Sequence, residues 1–270
     1  MLTQRVSPGK ILMLLGAAIF AAFLILPLIA LALRSVDHIG ALNDREIELV
    51  KQAISLSART SLATLAIILL LGTPLAYVMA RTSFHGKAVL ETVIDLPMIL
   101  PPAVAGLALL MAFGRRGLLG EHMDAWGIQI GFSTTAVVIA QIFVASPFYI
   151  RAATGAFVSV AKQQEEAAAD LGASPRAVMT SVTLPLAAPG LGAGAVLAWA
   201  RAVGEFGATI MFAGNLPGIT QTLPLAIYGR YEAGDLNSAL IMACILLVTS
   251  FLVLISVRGI SGRVRTPISQ

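Results

Sequence analysis

The dominant feature of the sequence is a series of long apolar stretches that contain almost no charged residues. A helix crosses the hydrocarbon core of a bilayer, about 30 Å thick, with about 20 such residues. Only 12% of the residues are charged, whereas soluble domains have about 25%. We therefore predict an all-α membrane protein, a single domain of about six transmembrane helices. The expected spans are approximately 11–33, 60–80, 96–114, 134–150, 185–212 and 236–257.

The first apolar stretch follows Arg5 and Lys10, as the apolar part of a signal peptide would. Signal peptides, however, have an apolar region of about 7 to 15 residues that ends in a cleavage site with small residues. The stretch here is longer, and no small-x-small site follows it. We expect it to be retained as the first membrane helix.

Several kinds of chemistry are not expected from this composition. The single cysteine, Cys244, lies in an apolar stretch and cannot form an intrachain disulfide. The histidines His38, His85 and His122 lie in three separate polar segments without the spacing of metal ligands. We therefore expect no metal site.

The distribution of Lys and Arg predicts the orientation, because cytoplasmic loops of membrane proteins are enriched in both. Six spans place both termini on one side, and the side of the termini has ten basic residues against seven on the other. The ten are Arg5, Lys10, Arg81, Lys87, Arg151, Lys162, Arg176, Arg258, Arg263 and Arg265. We expect a multi-pass protein of the plasma (inner) membrane with both termini in the cytoplasm. The basic isoelectric point follows from this bias, so no nucleic-acid partner is expected.

Two segments depart from a plain membrane helix. Residues 46–63 carry apolar residues at helical spacing between charges, which predicts an interfacial helix leading into the second span. The third span contains Pro97, Pro101 and Pro102, which predict a kink or an unwound turn. Such a break is tolerated in lipid only where it faces protein or a water-filled cavity, so we expect it to face the bundle interior. A simple packing kink is the alternative.

The fifth span carries two charges in an otherwise apolar run. Arg201 and Glu205 are four residues apart, so they lie on one helix face as a possible ion pair. Charges within a membrane are costly and commonly mark a transport path. Gly204 and Gly207 make the backbone flexible beside Glu205. The predicted path or gate residues are Arg201, Gly204, Glu205, Gly207, Pro101 and Pro102; the alternative is an ion pair that reaches the outer interface.

The long cytoplasmic segment 159–184 has the signals of a helix-turn-helix. Good helix formers run from Lys162 to Leu171, and Gly172 is suited to a C-terminal cap. Ser174 can cap the next helix, whose first position suits Pro175. Three consecutive alanines, Ala167 to Ala169, give the first helix a smooth face that could dock into a groove of another protein.

The sequence EEAAADLGAS, followed after a short helix by LPLAAPG, resembles the EAA loop of binding-protein-dependent ABC importer permeases. In that family the loop forms a coupling helix that sits in a cleft of the cytoplasmic ATPase. The resemblance implies this role for Glu165, Glu166, Ala167, Ala168 and Gly172. The family often starts the helix with Asp-Pro, where this chain has Ala161 and Lys162.

Other stretches resemble the molybdate and tungstate permeases of that class. The resemblance implies a translocated oxyanion, a cytoplasmic ABC ATPase dimer, an extracytoplasmic oxyanion-binding protein and a second permease copy, here expected to give a homodimer in the lipid membrane. Sulfate or thiosulfate is the alternative substrate. The quoted stretches are GTPLAYVMAR, DLPMILPPAVAGLALL and RAVGEFGATIMFAGNLPGITQTLPLAIY.

The chain is not expected to be an enzyme or to bind a cofactor. It has no GxxxxGK[ST] sequence, the backbone cradle for ATP phosphates, so ATP and Mg²⁺ are expected on the partner ATPase. A secondary transporter would need ionisable residues in several spans, and only Glu205 and Asp95 qualify. A membrane-embedded enzyme would need paired His or carboxylate groups that no span contains.

Overall fold

The computed structural model describes residues 8–36 and 43–262. In these two segments the regular structure is helical, without a strand, which confirms the predicted all-α membrane class. The predictions for Arg5, His38, Arg263 and Arg265 lie outside the described residues.

The helices, in chain order, are α1 (Pro8–Val36), α2 (Asp44–Arg81), α3 (Lys87–Ile99), α4 (Pro102–Phe113), α5 (Gly120–Asp124), α6 (Thr134–Ser159), α7 (Lys162–Asp170), α8 (Pro175–Val178), a π-helical turn (Met179–Thr183), α9 (Leu184–Val203), α10 (Gly207–Ala213), α11 (Leu223–Glu232) and α12 (Leu236–Gly262). Among the described residues, four helical stretches are long and apolar enough to cross a membrane. They are Leu12–Val36, Asp44–Arg81, Thr134–Ser159 and Pro175–Val203. The bent pair α3 and α4 could form a fifth span, and the sixth predicted span falls on α12, where Leu236–Leu252 is a shorter apolar stretch.

The predicted interfacial helix before the second span is not a separate element. Residues 44–81 form one helix of 38 residues, α2. It begins with a capping box in which the Asn43 side chain accepts from the Glu46 N–H at 3.0 Å, and the Glu46 carboxylate accepts from the Asn43 N–H at 2.8 Å. The first glycine or proline after this cap is Gly72, so nothing in the sequence interrupts the helix where it enters the apolar stretch.

Helices α2, α6 and α9 pack together at the centre of the bundle through small residues. A Cβ atom at Gly194 would meet the Cβ of Ala152 at 2.8 Å, and one at Gly72 would meet the Tyr149 ring at 3.0 Å. In lipid, helices associate through such close backbone approach rather than through hydrophobic burial. The Tyr149 ring is buried between them, and its hydroxyl lies 2.6 Å from the Thr73 hydroxyl.

A polar stripe on α2 ties three other helices to this centre. Ser57 accepts a hydrogen bond from the first N–H of α11, that of Leu223, at 2.7 Å. The Trp199 indole of α9 donates to Ser61 at 3.1 Å, and Thr64 donates to Gln141 of α6 at 3.0 Å. Rotation of one of these helices about its axis would break such a bond and leave a polar group unpaired, which is costly in a membrane protein. Each bond therefore fixes the rotation of a helix.

Charges join the N-terminal ends of α2 and α12. Arg230 lies 3.3 Å from the Asp235 carboxylate and 3.7 Å from that of Glu46. The Ser238 and Arg230 groups around it hold the pKa of Asp235 below its ordinary value. The carboxylate therefore stays ionised as pH falls toward that ordinary value. Its contribution to the stability of the folded protein is lost only when the pH falls further, through the lowered pKa.

Candidate translocation path and coupling site

The third span breaks where its prolines predict. Helix α3 ends at Ile99, α4 begins at Pro102, and their axes differ by 117°. Pro101 and Pro102 have no N–H to donate to the carbonyls one turn earlier, so the α-helical ladder cannot continue through them. Leu100 and Pro101 accordingly have extended ψ values of 135°.

The expectation that this break faces the bundle interior holds only for the residues that follow it. Pro101 and Pro102 are exposed on the single chain, whereas Ala105, Gly106 and Leu109 of α4 are buried. The reason is helical geometry, since the buried face of α4 begins one turn after its proline cap. The two prolines border the packed interior rather than lying within it.

The fifth span is not the single segment 185–212 that the sequence predicts. Helix α9 ends at Val203, three residues are non-helical, and α10 begins at Gly207. The Glu205 carboxylate accepts from the Ala208 N–H at 2.8 Å, which caps the new helix. Glu205 therefore stabilises the start of α10, a role that its apolar neighbours in the sequence do not indicate.

The predicted ion pair is present across this break. Arg201 Nη2 lies 2.7 Å from Glu205 Oε2, and the Glu205 side chain is 1% exposed, against 28% for Arg201. This contact is an ion pair without hydrogen-bond geometry, because Oε2 has no hydrogen-bond partner. One charge of the pair is therefore buried while the other reaches an open surface of the chain. The assignment of the pair as a gate remains a prediction.

The two broken spans meet each other. A Cβ atom at Gly106 of α4 would lie 2.6 Å from the Ala208 carbonyl oxygen and 2.7 Å from the Met211 Cβ. A Cβ atom at Gly207 would overlap the Cβ of Pro102. The structure thus brings the predicted residues Pro102, Glu205 and Gly207 together. It adds Gly106, which stands in an apolar run without any signal of its own.

A third element, α11, contacts the same region. The Phe206 ring, in the break, lies 4.9 Å from the Tyr228 ring between centroids, with the planes tilted by 55°. The sequence predictions included neither aromatic residue as a site residue. Their contact links the break in the fifth span to the segment that precedes α12.

An ion pair that the sequence predictions missed joins α3 to α6. Arg151 Nε donates to Asp95 Oδ1 at 2.6 Å, and a second guanidinium nitrogen contacts Oδ2. Arg151 was assigned to the cytoplasmic flank, yet α6 continues for eight further residues to Ser159. Separate segments, 56 residues apart, supply the two groups, so no local spacing indicates the pair.

The loop between α6 and α9 has the local structure that the sequence predicts. Helix α7 covers Lys162–Asp170, and Gly172 takes a left-handed conformation with φ of 86°. The Ser174 hydroxyl accepts from the Ala177 N–H at 3.3 Å, and Pro175 is the first residue of α8. One expectation is wrong. The second short helix is not separate, because α8 continues through the π-helical turn into α9.

The residues with an implied coupling role do not share one surface. Glu166, Ala167 and Gly172 are exposed, and Leu171 beside them is 90% exposed. Ala168 is partly buried. Glu165 instead turns toward the bundle, where its Oε1 accepts from Arg81 and from Thr183, each at 2.7 Å. The adjacent glutamates therefore have different surroundings, and the sequence predictions included neither Arg81 nor Thr183 as a partner.

Comparisons with known proteins agree with this architecture. Residues 72–266 match the family model described as the binding-protein-dependent transport system inner membrane component. The chain is 44% identical over 248 residues to the molybdenum transport system permease protein ModB of Mycobacterium bovis, covering 91% of this chain and 90% of that protein. It is 34% identical to a probable sulfate transport system permease protein of Chlorokybus atmophyticus, covering 88% and 84%.

Solved structures share the fold at low sequence identity. The crystal structure of a bacterial alginate ABC transporter in complex with an alginate pentasaccharide-bound periplasmic protein matches with a TM-score of 0.72. The identity is 18%, and 95% of each chain is covered. The family match, the 44% identity to a permease and the shared fold together identify the family of this chain. It belongs to the family of inner membrane components of binding-protein-dependent transport systems, as a multi-pass permease subunit of an ABC importer.

Proposed function

We propose that this permease translocates molybdate or tungstate inward by ATP-driven alternating access, as one of two identical copies. The proposed transport path rests on one observation, the contact between two broken spans beside the buried Glu205 carboxylate. Broken helices are tolerated at membrane depth where they border protein or a water-filled cavity. Here the breaks at 100–101 and 204–206 lie on spans that contact each other, and Glu205 caps one of them.

The close contact between α4 and α10 supports a path that closes tightly. No side chain separates Gly106 from the backbone of α10, or Gly207 from Pro102. Closely packed backbones adopt discrete arrangements rather than a continuous range of positions. A gate needs such discrete open and closed arrangements. The partly exposed Arg201 and the prolines at the edge of this contact are the groups that a second copy or the path itself would face.

The second element of the proposal is the coupling loop. Helix α7 has no buried residue; Glu166 and Ala167 on it, and Leu171 directly after it, are exposed. A surface of small and exposed apolar residues suits insertion into a cleft of a cytoplasmic ATPase dimer. ATP and Mg²⁺ would be bound by that ATPase, and an extracytoplasmic oxyanion-binding protein would deliver the substrate.

The choice of substrate rests on the relatives. The molybdenum permease is 44% identical to this chain and the sulfate permease 34%. Sulfate or thiosulfate is therefore the second candidate. Because the membrane path only has to pass a tetrahedral dianion, discrimination between these anions would lie mainly in the binding protein.

Reconstitution tests the function directly. The permease would be placed in vesicles with its ATPase and binding protein, and uptake of labelled molybdate measured with and without ATP. We expect ATP-dependent uptake that unlabelled tungstate suppresses and an equal concentration of sulfate does not. Suppression by sulfate alone would favour the sulfate candidate, and uptake independent of ATP would contradict the proposed mechanism.

Orientation is a separate prediction. Reporters fused after Gln270 or inserted near Gly86 should be cytoplasmic, and reporters near Asp44 or Glu121 external, because of the Lys and Arg bias. Helix α2 runs unbroken from Asp44 to Arg81, so these two ends should report opposite sides. A cytoplasmic signal near Glu121 would contradict the orientation.

The turn after α7 gives a prediction for coupling. Gly172→Val should leave the permease in the membrane and reduce uptake per ATP hydrolysed, because a β-branched residue is disfavoured at a φ of 86°. Gly86 has the same φ and, like Gly172, open space around it, but lies in the loop before α3. Gly86→Val is thus a control with matched backbone strain, and Gly172→Asn should retain more coupling. Equal coupling in Gly172→Val and the wild type would contradict a requirement for this turn.

A further inference from the structure

Beneath α7 lies a partly buried polar contact that joins it to two membrane helices and to the end of a third. We propose that Glu165 is a positioning residue that holds α7 on the membrane helices and transmits its movement to them, while Glu166 contacts the ATPase. This inference rests on the proposed function, since it assumes that α7 docks on an ATPase. It assigns new roles to Arg81 and Thr183, which we call with Glu165 the Glu165 cluster.

The contacts in the cluster converge on one oxygen. Glu165 Oε1 accepts from Arg81 Nη2 and from Thr183 Oγ1, both at 2.7 Å. The same Arg81 nitrogen donates to the Val160 carbonyl at 3.1 Å. The Arg81 and Glu165 side chains are 12% and 15% exposed, and Thr183 is 1% exposed. Charge-assisted hydrogen bonds with little exposure are stronger than those on an open surface.

The two partners of Glu165, and the Val160 carbonyl that accepts from Arg81, belong to three different membrane helices. Arg81 is the last residue of α2, and Val160 caps the end of α6. Thr183 ends the π-helical turn that leads into α9. These are the three helices that pack at the centre of the bundle. Glu165 therefore connects α7 to all three through two direct bonds and the Arg81 guanidinium.

Helix α7 depends on such contacts because it has no buried residue of its own. Its hydrophobic neighbour Leu171 points away from the bundle and is 90% exposed. A helix without apolar burial is held by its polar attachments and its chain connections. Loss of the Glu165 cluster should accordingly loosen α7 relative to α2 while leaving its outward surface intact.

The π-helical turn fits the same role. Single π-helical turns within α-helices occur frequently at functional sites and carry a wider, less regular ladder. Here one lies between α8 and α9, and its last residue bonds to Glu165. A shift of α7 would therefore act on the helix leading to the Glu205 break at its least regular turn.

The test compares adjacent and matched substitutions in the reconstituted complex. Glu165→Gln and Thr183→Val should retain the ATPase during purification but lower substrate uptake per ATP hydrolysed by at least about fivefold, the lower end of usual coupling effects. Glu166→Gln should instead weaken ATPase retention. Thr180→Val, in the same π-helical turn but exposed, should behave as wild type. The charge exchange Arg81→Glu with Glu165→Arg should restore part of the uptake lost by either change alone.

A distance measurement distinguishes this inference from the proposed function. Spin labels at Leu171→Cys and Thr82→Cys, in a Cys244→Ser background, report the position of α7 relative to the end of α2 without any substrate. Glu165→Gln should broaden that distance distribution, and Glu166→Gln should not. An unchanged distribution in Glu165→Gln, or loss of the ATPase in Glu165→Gln as in Glu166→Gln, would overturn the inference. Absence of molybdate uptake by the wild type would count against the proposed function alone.

Discussion

Glu205→Ala is expected to abolish uptake, because the substitution removes both the counterion of Arg201 and the cap of α10. Arg201→Ala should have a comparable effect, since it leaves a carboxylate that is 1% exposed without its cation. Breaking a buried pair by removing one partner costs about 3 to 5 kcal/mol. The double change should cost less than the sum of the two single changes, because neither charge is then unpaired. Uptake in vesicles, normalised to the permease in the membrane, measures all three.

An exposed ion pair provides a control for this cycle. Arg115 and Asp124 form an ion pair at 3.4 Å, in which the Arg115 side chain is 73% exposed. Exposed pairs contribute about 0 to 1 kcal/mol, so Arg115→Ala should transport normally. Strictly additive effects of the two span-five substitutions would contradict coupling between Arg201 and Glu205. Normal uptake by both single variants would contradict a role in the path.

Gly106→Leu should eliminate transport by separating α4 from α10. Even a Cβ atom there would lie 2.6 Å from the Ala208 carbonyl oxygen and 2.9 Å from its Cα, and backbone atoms cannot move aside as a flexible side chain can. Overpacking of this kind costs about 1 to 3 kcal/mol where the structure can adjust. Gly106→Ala should therefore already impair uptake, and Gly106→Leu should reduce it to background. Both variants would be assayed for uptake and for the amount of folded permease.

Glycines with open surroundings are the matched controls. A Cβ atom added at Gly16 in α1 or at Gly192 in α9 would meet no other atom within 4 Å, so alanine at either position should be tolerated. If Gly106→Ala transported as well as Gly192→Ala, the close contact between the two broken spans would not be needed for transport.

The features that the sequence predicted correctly are those with local signals. Three prolines within six residues predict a break, because proline cannot donate a backbone hydrogen bond. Gly172, Ser174 and Pro175 each favour one position around a helix end, and the structure places them there. Arg201 and Glu205 are four residues apart, and the predicted ion pair forms although α9 ends at Val203, because the short spacing keeps the two side chains within reach.

The features that the sequence did not predict depend on contacts between distant segments. Arg81 and Glu165 are 84 residues apart, and Asp95 and Arg151 are 56 apart, so only the packed bundle brings them together. The end of α9 at Val203 also escaped prediction, because Glu205 was interpreted as a charge inside a continuous helix. Its carboxylate accepts from the Ala208 N–H only once the chain has left the helix.

The unbroken course of α2 has a mechanical consequence. Its 38 residues extend for about 57 Å at about 1.5 Å per residue, nearly twice the thickness of the hydrocarbon core. Its N-terminal end carries the capping box of Asn43 and Glu46, and its C-terminal end carries Arg81. A stiff rod of that length that pivots by about 5° near one end displaces the other by about 5 Å, close to one helical turn. A small reorientation at one end of α2 would therefore move the other end by several ångströms, without any change in the internal conformation of the helix.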